Sequence, residues 1–360
     1  MGLPEKLAEL EGEYAKTQKN KATEFHLGLL KAKIAKLKRD IAAPKKGGAV
    51  AGGFDVKKTG NASVVLIGLP SVGKSTILNA LTGSKSKTAS YAFTTLSCIP
   101  GVMKYKGALI QILDLPGIIA GANTGKGRGK EVLAVARNAD LVLLVLDVFQ
   151  PTYRDKLIGE LEGIGLRIDQ EPPNIFIHQT ERGGININYD RKPTQLNDKI
   201  ITAVLNEYGI FSASVNLRED ATVDQFIDAI VGNRKYVPSL TVVNKVDLVK
   251  AEFLKSLGYQ FLPISADKCS GIEELKEAIF KKLRLIRVFT KSRFEGADLE
   301  APLLVHEGTT TIDACEKLHR DLKKEFKSAR IWGPSAKHPG QKVGADHVLK
   351  DGDIIFIEKK

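Results

Sequence analysis

Four apolar runs mark the middle of the chain: Val64–Ile67, Ala108–Leu113, Leu141–Val148 and Leu240–Val243. None keeps a strict apolar–polar alternation, and each is bounded by turn or charge signals. That is the pattern of strands buried on both faces of a parallel sheet. Stretches with helical spacing separate them, the first at Ile77–Leu81. The pattern predicts an α/β fold with a doubly wound sheet whose ligand sits at the strand C-terminal ends. Within it Gly117 and Asn244 stand 127 residues apart, about twice what one strand and two helices need. The excess, residues 164–238, has its own pattern. Asn174–His178 and Ile185–Tyr189 read as strands around the turn Arg182-Gly183-Gly184. Thr194 is placed to cap a helix through Ile200, Val204 and Leu205, and Phe211–Leu217 alternates as a strand. Thr222 and Gln225 form a capping-box pattern ahead of Phe226–Val231. A small α+β domain inserted in the main one accounts for this.

The two ends read differently. Pro4 suits a first helical turn, and Leu7, Leu10 and Tyr14 follow at spacings of three and four. Thr23 is positioned as an N-cap ahead of the stripe Phe25, Leu29, Leu30, Ile34, Leu37 and Ile41. Pro44 and glycines 47, 48, 52 and 53 end that helix, which predicts an antiparallel helical pair. At the other end, strands at Pro302–Val305, Ala329–Trp332, Val348–Leu349 and Asp353–Glu358 surround a helix opening at Thr311 and running through Leu318. Turns are expected at Gly340, Gly344 and Asp351-Gly352. This order suits a β-grasp module. The predicted domains are residues 1–60, 61–163 with 239–290, 164–238, and 291–360.

Charge adds a partner class. The 360 residues carry a net charge of +12 with a pI near 9.4, which suggests a polyanion such as RNA. Residues 1–58 hold 13 Lys/Arg against 7 Asp/Glu. Lys31, Lys33, Lys36, Lys38 and Arg39 lie opposite the apolar stripe, where they either clamp RNA phosphates or form a solvated face. The insert has 8 basic and 10 acidic residues, so it is expected to contact protein or restrain the switch loops rather than bind RNA. His178 alternates with apolar neighbours and reads as packed rather than catalytic. Trp332 is placed either to stack on a base or to lie half-buried. His338 and His347 lack a third ligand, so no metal site is expected there. Cys98, Cys269 and Cys315 are odd in number and far apart, which points to reduced thiols in a cytoplasmic protein. No apolar run approaches the roughly 18 residues of a membrane span, and the charged N-terminus lacks a signal-peptide core.

The chemistry centres on Gly68-Leu69-Pro70-Ser71-Val72-Gly73-Lys74-Ser75-Thr76, which follows a predicted strand and precedes a helix. This is the P-loop spacing. Its backbone N–H groups and the helix N-terminus cradle phosphates, Lys74 reaches the β- and γ-phosphates, and the Ser75 hydroxyl suits Mg²⁺. Phe93-Thr94-Thr95 lies where a mobile loop supplies a hydroxyl to Mg²⁺, with Thr95 favoured over Thr94. Asp114-Leu115-Pro116-Gly117 ends an apolar strand. There Asp114 holds Mg²⁺ through water, and the Gly117 N–H senses the γ-phosphate. Asn244-Lys245-Val246-Asp247 follows another strand. The Asp247 carboxylate accepts from guanine N1–H and the exocyclic amine, a donor pair adenine lacks. Asn244 braces the loop, and the Lys245 stem covers the base. Ser265-Ala266-Asp267 is placed to offer a backbone N–H to guanine O6. Together these clusters predict binding of GTP and GDP, with Lys74, Thr95 and Gly117 as the catalytic set. The residue after Gly117 is Ile118, which can neither orient nor deprotonate water, so intrinsic turnover is expected to be slow. The glycine-rich, basic stretch Gly121–Lys130 reads as a nucleotide-sensitive switch or a flexible surface loop.

GLPSVGKS (68–75), FTTLSCIPG (93–101), DLPG (114–117), GKGRGKEVLAVARNADL (125–141), NKVD (244–247) and HPGQKVGADHVLKDGD (338–353) resemble the developmentally regulated GTP-binding protein family of the Obg-type translation-factor GTPases. The likeness spans the whole chain, and the short tail resembles archaeal members. It implies a P-loop GTPase with an N-terminal helical domain, an insert resembling a ribosomal protein fold, and a C-terminal TGS domain. It also implies an Mg²⁺-dependent GTPase associated with the ribosome and translation, a stabilising partner protein, and K⁺-stimulated turnover. Related potassium-dependent GTPases carry Asn at the position of Ser71, which sets this chain apart. The chain is expected to be a monomer without membrane contact. An RNA-binding assembly scaffold with structural nucleotide is the alternative that Ile118 suggests, and a P-loop ATPase is a third.

Overall fold

The structure, a computed structural model, describes residues 2–42, 60–83, 99–115, 135–191, 193–292, 296 and 298–359. They form two compact units. One joins the N-terminal helices to residues 160–236. The other holds the large sheet and the C-terminal module.

The first two elements are α1 (Leu3–Lys16) and α2 (Glu24–Ala42), with Pro4 in the first turn of α1. Thr23 does not cap α2 with its side chain. Its hydroxyl turns back into the connection, donating to the Gln18 carbonyl at 2.5 Å and accepting from the Asn20 N–H at 3.1 Å.

The sheet begins with β1 (Ala62–Ile67), buried along its whole length. The P-loop leads from it into α3 (Lys74–Thr82), which buries Ile77, Leu78 and Leu81. β2 (Ile99–Tyr105) and β3 (Ala108–Asp114) make an antiparallel hairpin through Lys106 and Gly107, both at positive φ. β1 lies between β3 and β4 (Leu141–Asp147) and is parallel to both.

α4 (Tyr153–Gly163) and β5 (Leu166–Ile168) lead into the insert. There β6 (Ile175–Gln179) and β7 (Ile185–Tyr189) follow, but they do not pair as the hairpin read from sequence. After α5 (Asp198–Glu207), strand β8 (Ala213–Leu217) lies between them, antiparallel to β6 and parallel to β7. Gly183 and Gly184, at φ 110° and 70°, carry the chain past the start of β8, where the Ala213 N–H donates to the Gly184 carbonyl. The helix cap also differs from expectation. Asn197 caps α5 by accepting from the Ile200 N–H at 2.9 Å, while Thr194 bonds to Asp220. The capping box is present: Thr222 and Gln225 exchange hydrogen bonds at the start of α6 (Val223–Val231). β9 (Lys235–Val237) then pairs with β5. On α6, Asp228 is buried between the guanidinium groups of Arg167 and Arg234, at 2.5 and 2.9 Å. His178 is exposed, not packed, because its side of β6 faces away from the helices.

α2 packs on this insert. Ala32 is fully buried there, and Gly28 comes close enough that an added Cβ would sit 3.4 Å from an Ile200 methyl carbon. Phe25, first in the predicted stripe, is exposed. The basic face is mostly engaged within its own unit. Lys31 pairs with Asp224, Lys36 with Glu207, and Lys38 with Glu11, while Arg39 lies over the Tyr208 ring. A phosphate clamp built from these residues would have to break those contacts first.

The chain returns at β10 (Ser239–Asn244), parallel to β4, and reaches β11 (Leu262–Pro263) by way of α7 (Ala251–Lys255). The completed sheet has the order β11-β10-β4-β1-β3-β2, with only β2 antiparallel. α8 (Ile272–Lys282) packs Leu275 and Ile279 into the same core as α3.

β12 (Leu285–Thr290) belongs to the C-terminal sheet, although the sequence boundary placed it with the nucleotide domain. It pairs with β13 (Leu303–His306). After α9 (Thr311–Leu318) and α10 (Arg320–Lys324) come β14 (Phe326–Trp332), β15 (Gln341–Val343) and β16 (Asp353–Lys359). The order is β13-β12-β16-β14-β15, a β-grasp arrangement in which the ends of the module meet as parallel β12 and β16. The expected strand at 348–349 is only a single bridge from Val348 to Thr310. Trp332 is half-buried, with the Lys291 ammonium 4.9 Å from its ring centroid and Gly340 packed against the indole. Among the described residues, no helix is long and apolar enough to cross a membrane.

Candidate nucleotide-binding site

The tips of β1, β3, β4 and β10 bring the polar residues together. The apolar runs hold these strands rigid, and the first polar residues beyond them fall at one edge of the sheet. Gly68 leaves β1 so close to β4 that a Cβ would lie 2.2 Å from the Val145 carbonyl oxygen. Gly73, at φ 95°, starts α3, and a Cβ there would strike the Asn244 amide at 2.3 Å. Only glycine fits at either position. The turn leaves the first N–H groups of α3 without helical partners, the arrangement that binds anions.

Lys74 lies at the base of this loop and is buried. Its ammonium donates to the Gly68 carbonyl at 3.0 Å and the Leu69 carbonyl at 2.8 Å. Burial pushes its pKa down, and the Asp114 carboxylate partly offsets that. The Ser75 hydroxyl donates to Asp114 Oδ2 at 2.6 Å. The other carboxylate oxygen, Oδ1, is buried and has no hydrogen-bond partner among the described residues. Such an oxygen costs about 1–3 kcal/mol unless something satisfies it. Hard oxygen donors of this kind suit magnesium, so Ser75 and Asp114 fit that ion.

Asn244 joins three segments. Its amide donates to the Val72 carbonyl at 2.9 Å and accepts from the Ala266 N–H at 3.0 Å. Lys245, at φ 64°, donates to the Ser71 carbonyl at 2.9 Å. Asp247 faces the Ser265–Cys269 loop. Ser265 first, then the Lys268 ammonium at 3.2 Å, hold its carboxyl below the usual carboxylate range, so it is ionised at neutral pH. Thus Gly68, Pro70, Ser71, Val72 and Gly73 lie in the P-loop, Lys74, Ser75 and Thr76 in the first turn of α3, Asp114 and Asn244 at the ends of β3 and β10, and Lys245, Asp247, Ser265 and Ala266 just beyond β10 and β11. Leu115 is buried behind them and Asp267 is exposed. Phe93, Thr94, Thr95, Pro116, Gly117, Ile118 and the stretch 121–130 lie outside the described residues.

One positioning residue was missed in the sequence reading. Asp147, at the tip of β4, stands beside Asn244 in register. Its Oδ1 accepts the N–H groups of Phe149 and Gln150 at 3.1 Å, and its Oδ2 takes the Lys245 ammonium at 3.2 Å. The signal was available: Asp147 is the one charged residue in the apolar run Leu141–Val148, and it ends β4 as Asp114 ends β3 and Asn244 ends β10. Asp147→Ala is expected to speed GDP release roughly tenfold, since a charge-assisted hydrogen bond contributes about 1.5–3 kcal/mol. Asp147→Asn should lose less. Stopped-flow release of a fluorescent GDP analogue checks this, and wild-type rates in Asp147→Ala would remove Asp147 from the site.

Strand order, the P-loop and the Asn244–Asp247 loop beside it fit a P-loop GTPase. The comparisons agree: the 50S ribosome-binding GTPase family matches residues 63–179, the C-terminal region of that domain matches 182–285, and the TGS domain matches 286–359. The chain belongs to the developmentally-regulated GTP-binding protein family. It is 48% identical to developmentally-regulated GTP-binding protein 1 of Xenopus laevis, over 99% of this chain and 98% of that one. It is 46% identical to protein 2 of that name from Bos taurus over the full length of both. A GTP-binding protein of Methanocaldococcus jannaschii is 48% identical over 99% of this chain and 93% of its own.

Proposed function

We propose that this GTPase is a magnesium-dependent switch that associates with ribosomal RNA and regulates translation. The match of residues 63–179 to a family described as ribosome-binding carries the reading, and the net charge of +12 supports it. In the hydrolytic site, Lys74 stabilises charge on the β- and γ-phosphates as water attacks the γ-phosphorus in line. Ser75, Thr95 and Asp114 would hold the magnesium ion, which would supply further neutralisation of phosphate charge. Gly117 reports the terminal phosphate through its N–H. Potassium stimulation belongs to the same proposal, although Ser71 offers no amide oxygen to such an ion. A stabilising partner protein is a further part of it.

Cosedimentation with ribosomes at graded salt tests the reading. The form loaded with a non-hydrolysable GTP analogue should pellet more than the GDP form, and both less as salt rises. Hydrolysis should speed up with ribosomes, and more in K⁺ than in Na⁺. Equal pelleting in both nucleotide states, or a flat salt profile, would contradict the switch.

A further inference from the structure

The three-stranded sheet of the insert has two unlike faces. On one, Ile175, Ala213, Val215 and Leu217 are buried in a core shared with α5 and α6. The other carries Phe176, His178, Asn186, Asn188, Ser214 and Asn216. Register arranges these in two rows across the strands, Phe176–Asn216–Asn188 and His178–Ser214–Asn186. Phe176 is 52% exposed. The Arg218 guanidinium lies over its ring, 4.7 Å from the centroid, and is itself largely exposed. Next in the same row, the Asn188 amide donates to Asn216 Oδ1 at 3.0 Å.

Charge is segregated in this domain. All ten carboxylates of residues 164–238 lie on helices and loops, and the three strands carry none. The net negative charge of the insert therefore does not describe this face. Arg182, in the loop between β6 and β7, and Arg218, just past β8, flank it. One carboxylate, Asp190, comes within 4.0 Å of Arg218 at the far end of β7.

The chemistry selects the occupant. A helix packing on a sheet needs a mostly apolar surface, and here one side chain in six is apolar. Single-stranded RNA needs a flat ring or guanidinium to stack on, hydrogen-bonding groups beside it, and no carboxylates under its phosphates. Asn offers both donor and acceptor to a base edge. Adjacent strands lie about 4.8 Å apart, so a base stacked at Phe176 has its edge over Asn216 and Asn188. A duplex hides its base faces and cannot use such a platform.

We propose that this face binds about two or three nucleotides of single-stranded RNA, with Phe176 and Arg218 as the stacking pair. The proposal rests on the RNA association argued above and names a surface for it. It is tested on the full chain by fluorescence anisotropy with labelled oligo(A) and oligo(U) RNA. Phe176→Ala and Arg218→Ala should each weaken binding about tenfold. Phe211→Ala, an equally drastic loss at a 70% exposed ring outside the strands, should leave binding unchanged. GTP hydrolysis should be normal in all three. Ultraviolet cross-links should map to the peptides holding Phe176 and Asn188. If wild-type protein binds RNA and Phe176→Ala binds it equally, this face is refuted while RNA association stands. If wild-type protein binds neither oligonucleotide, or prefers duplex, the single-strand platform is refuted directly. Equal losses in Phe211→Ala would show a non-specific effect and overturn the assignment.

Discussion

Lys74→Ala is expected to lower single-turnover GTP hydrolysis by on the order of 10²–10³-fold, the usual effect of removing one preorganised charge-stabilising group. The ammonium is buried and already held by two loop carbonyls, at 3.0 and 2.8 Å. It therefore meets the phosphates with little further loss of freedom. Burial lowers its pKa while Asp114 opposes that shift, so replacing it also leaves the Asp114 carboxylate less compensated. Arginine should not rescue the variant, because a planar fork on a longer stem does not fit where a compact point charge sits. Hydrolysis within tenfold of wild type would remove Lys74 from the reaction.

Asp247→Asn should change which base is read. A carboxylate accepting two hydrogen bonds, each worth about 1.5–3 kcal/mol when one partner is charged, accounts for roughly 10²-fold or more in guanine affinity. Asparagine keeps one acceptor and adds a donor. That suits xanthine, which has a carbonyl where guanine has the amine. The variant should lose GTP turnover and gain XTP turnover, measured as kcat/KM for each nucleotide. Breaking the Lys268 pair alone would not produce a gain with xanthine, so the gain separates recognition from structural damage. A variant that still prefers GTP would contradict the role.

The P-loop and the strands before it were legible because their signals are local. Spacing fixes Gly68, Gly73 and Lys74, and burial on both faces writes β1, β4 and β10 as continuous apolar runs. Pairing between distant segments leaves no such mark. Nothing near Arg182-Gly183-Gly184 shows that β8 will lie between β6 and β7. His178 alternates with apolar residues on either face of a strand, and sequence alone does not tell which face the helices cover. Thr194 and Asn197 are both competent caps, and the choice was made by Asp220, which takes Thr194 from across the domain. Short strands such as β9 and β15 are too brief to carry a period. Asp147 was legible as a charged residue in an apolar run, but its pairing with Lys245, 98 residues away, was not.

Isothermal calorimetry of folded, nucleotide-free protein with GTP, with and without magnesium, tests the central claim most directly. The geometry of Lys74, Ser75, Asp114 and Asp247 predicts one site per chain, tighter with magnesium than without, and no competition by ATP. No heat of binding from GTP in the presence of magnesium, or equal affinity for ATP, would contradict it.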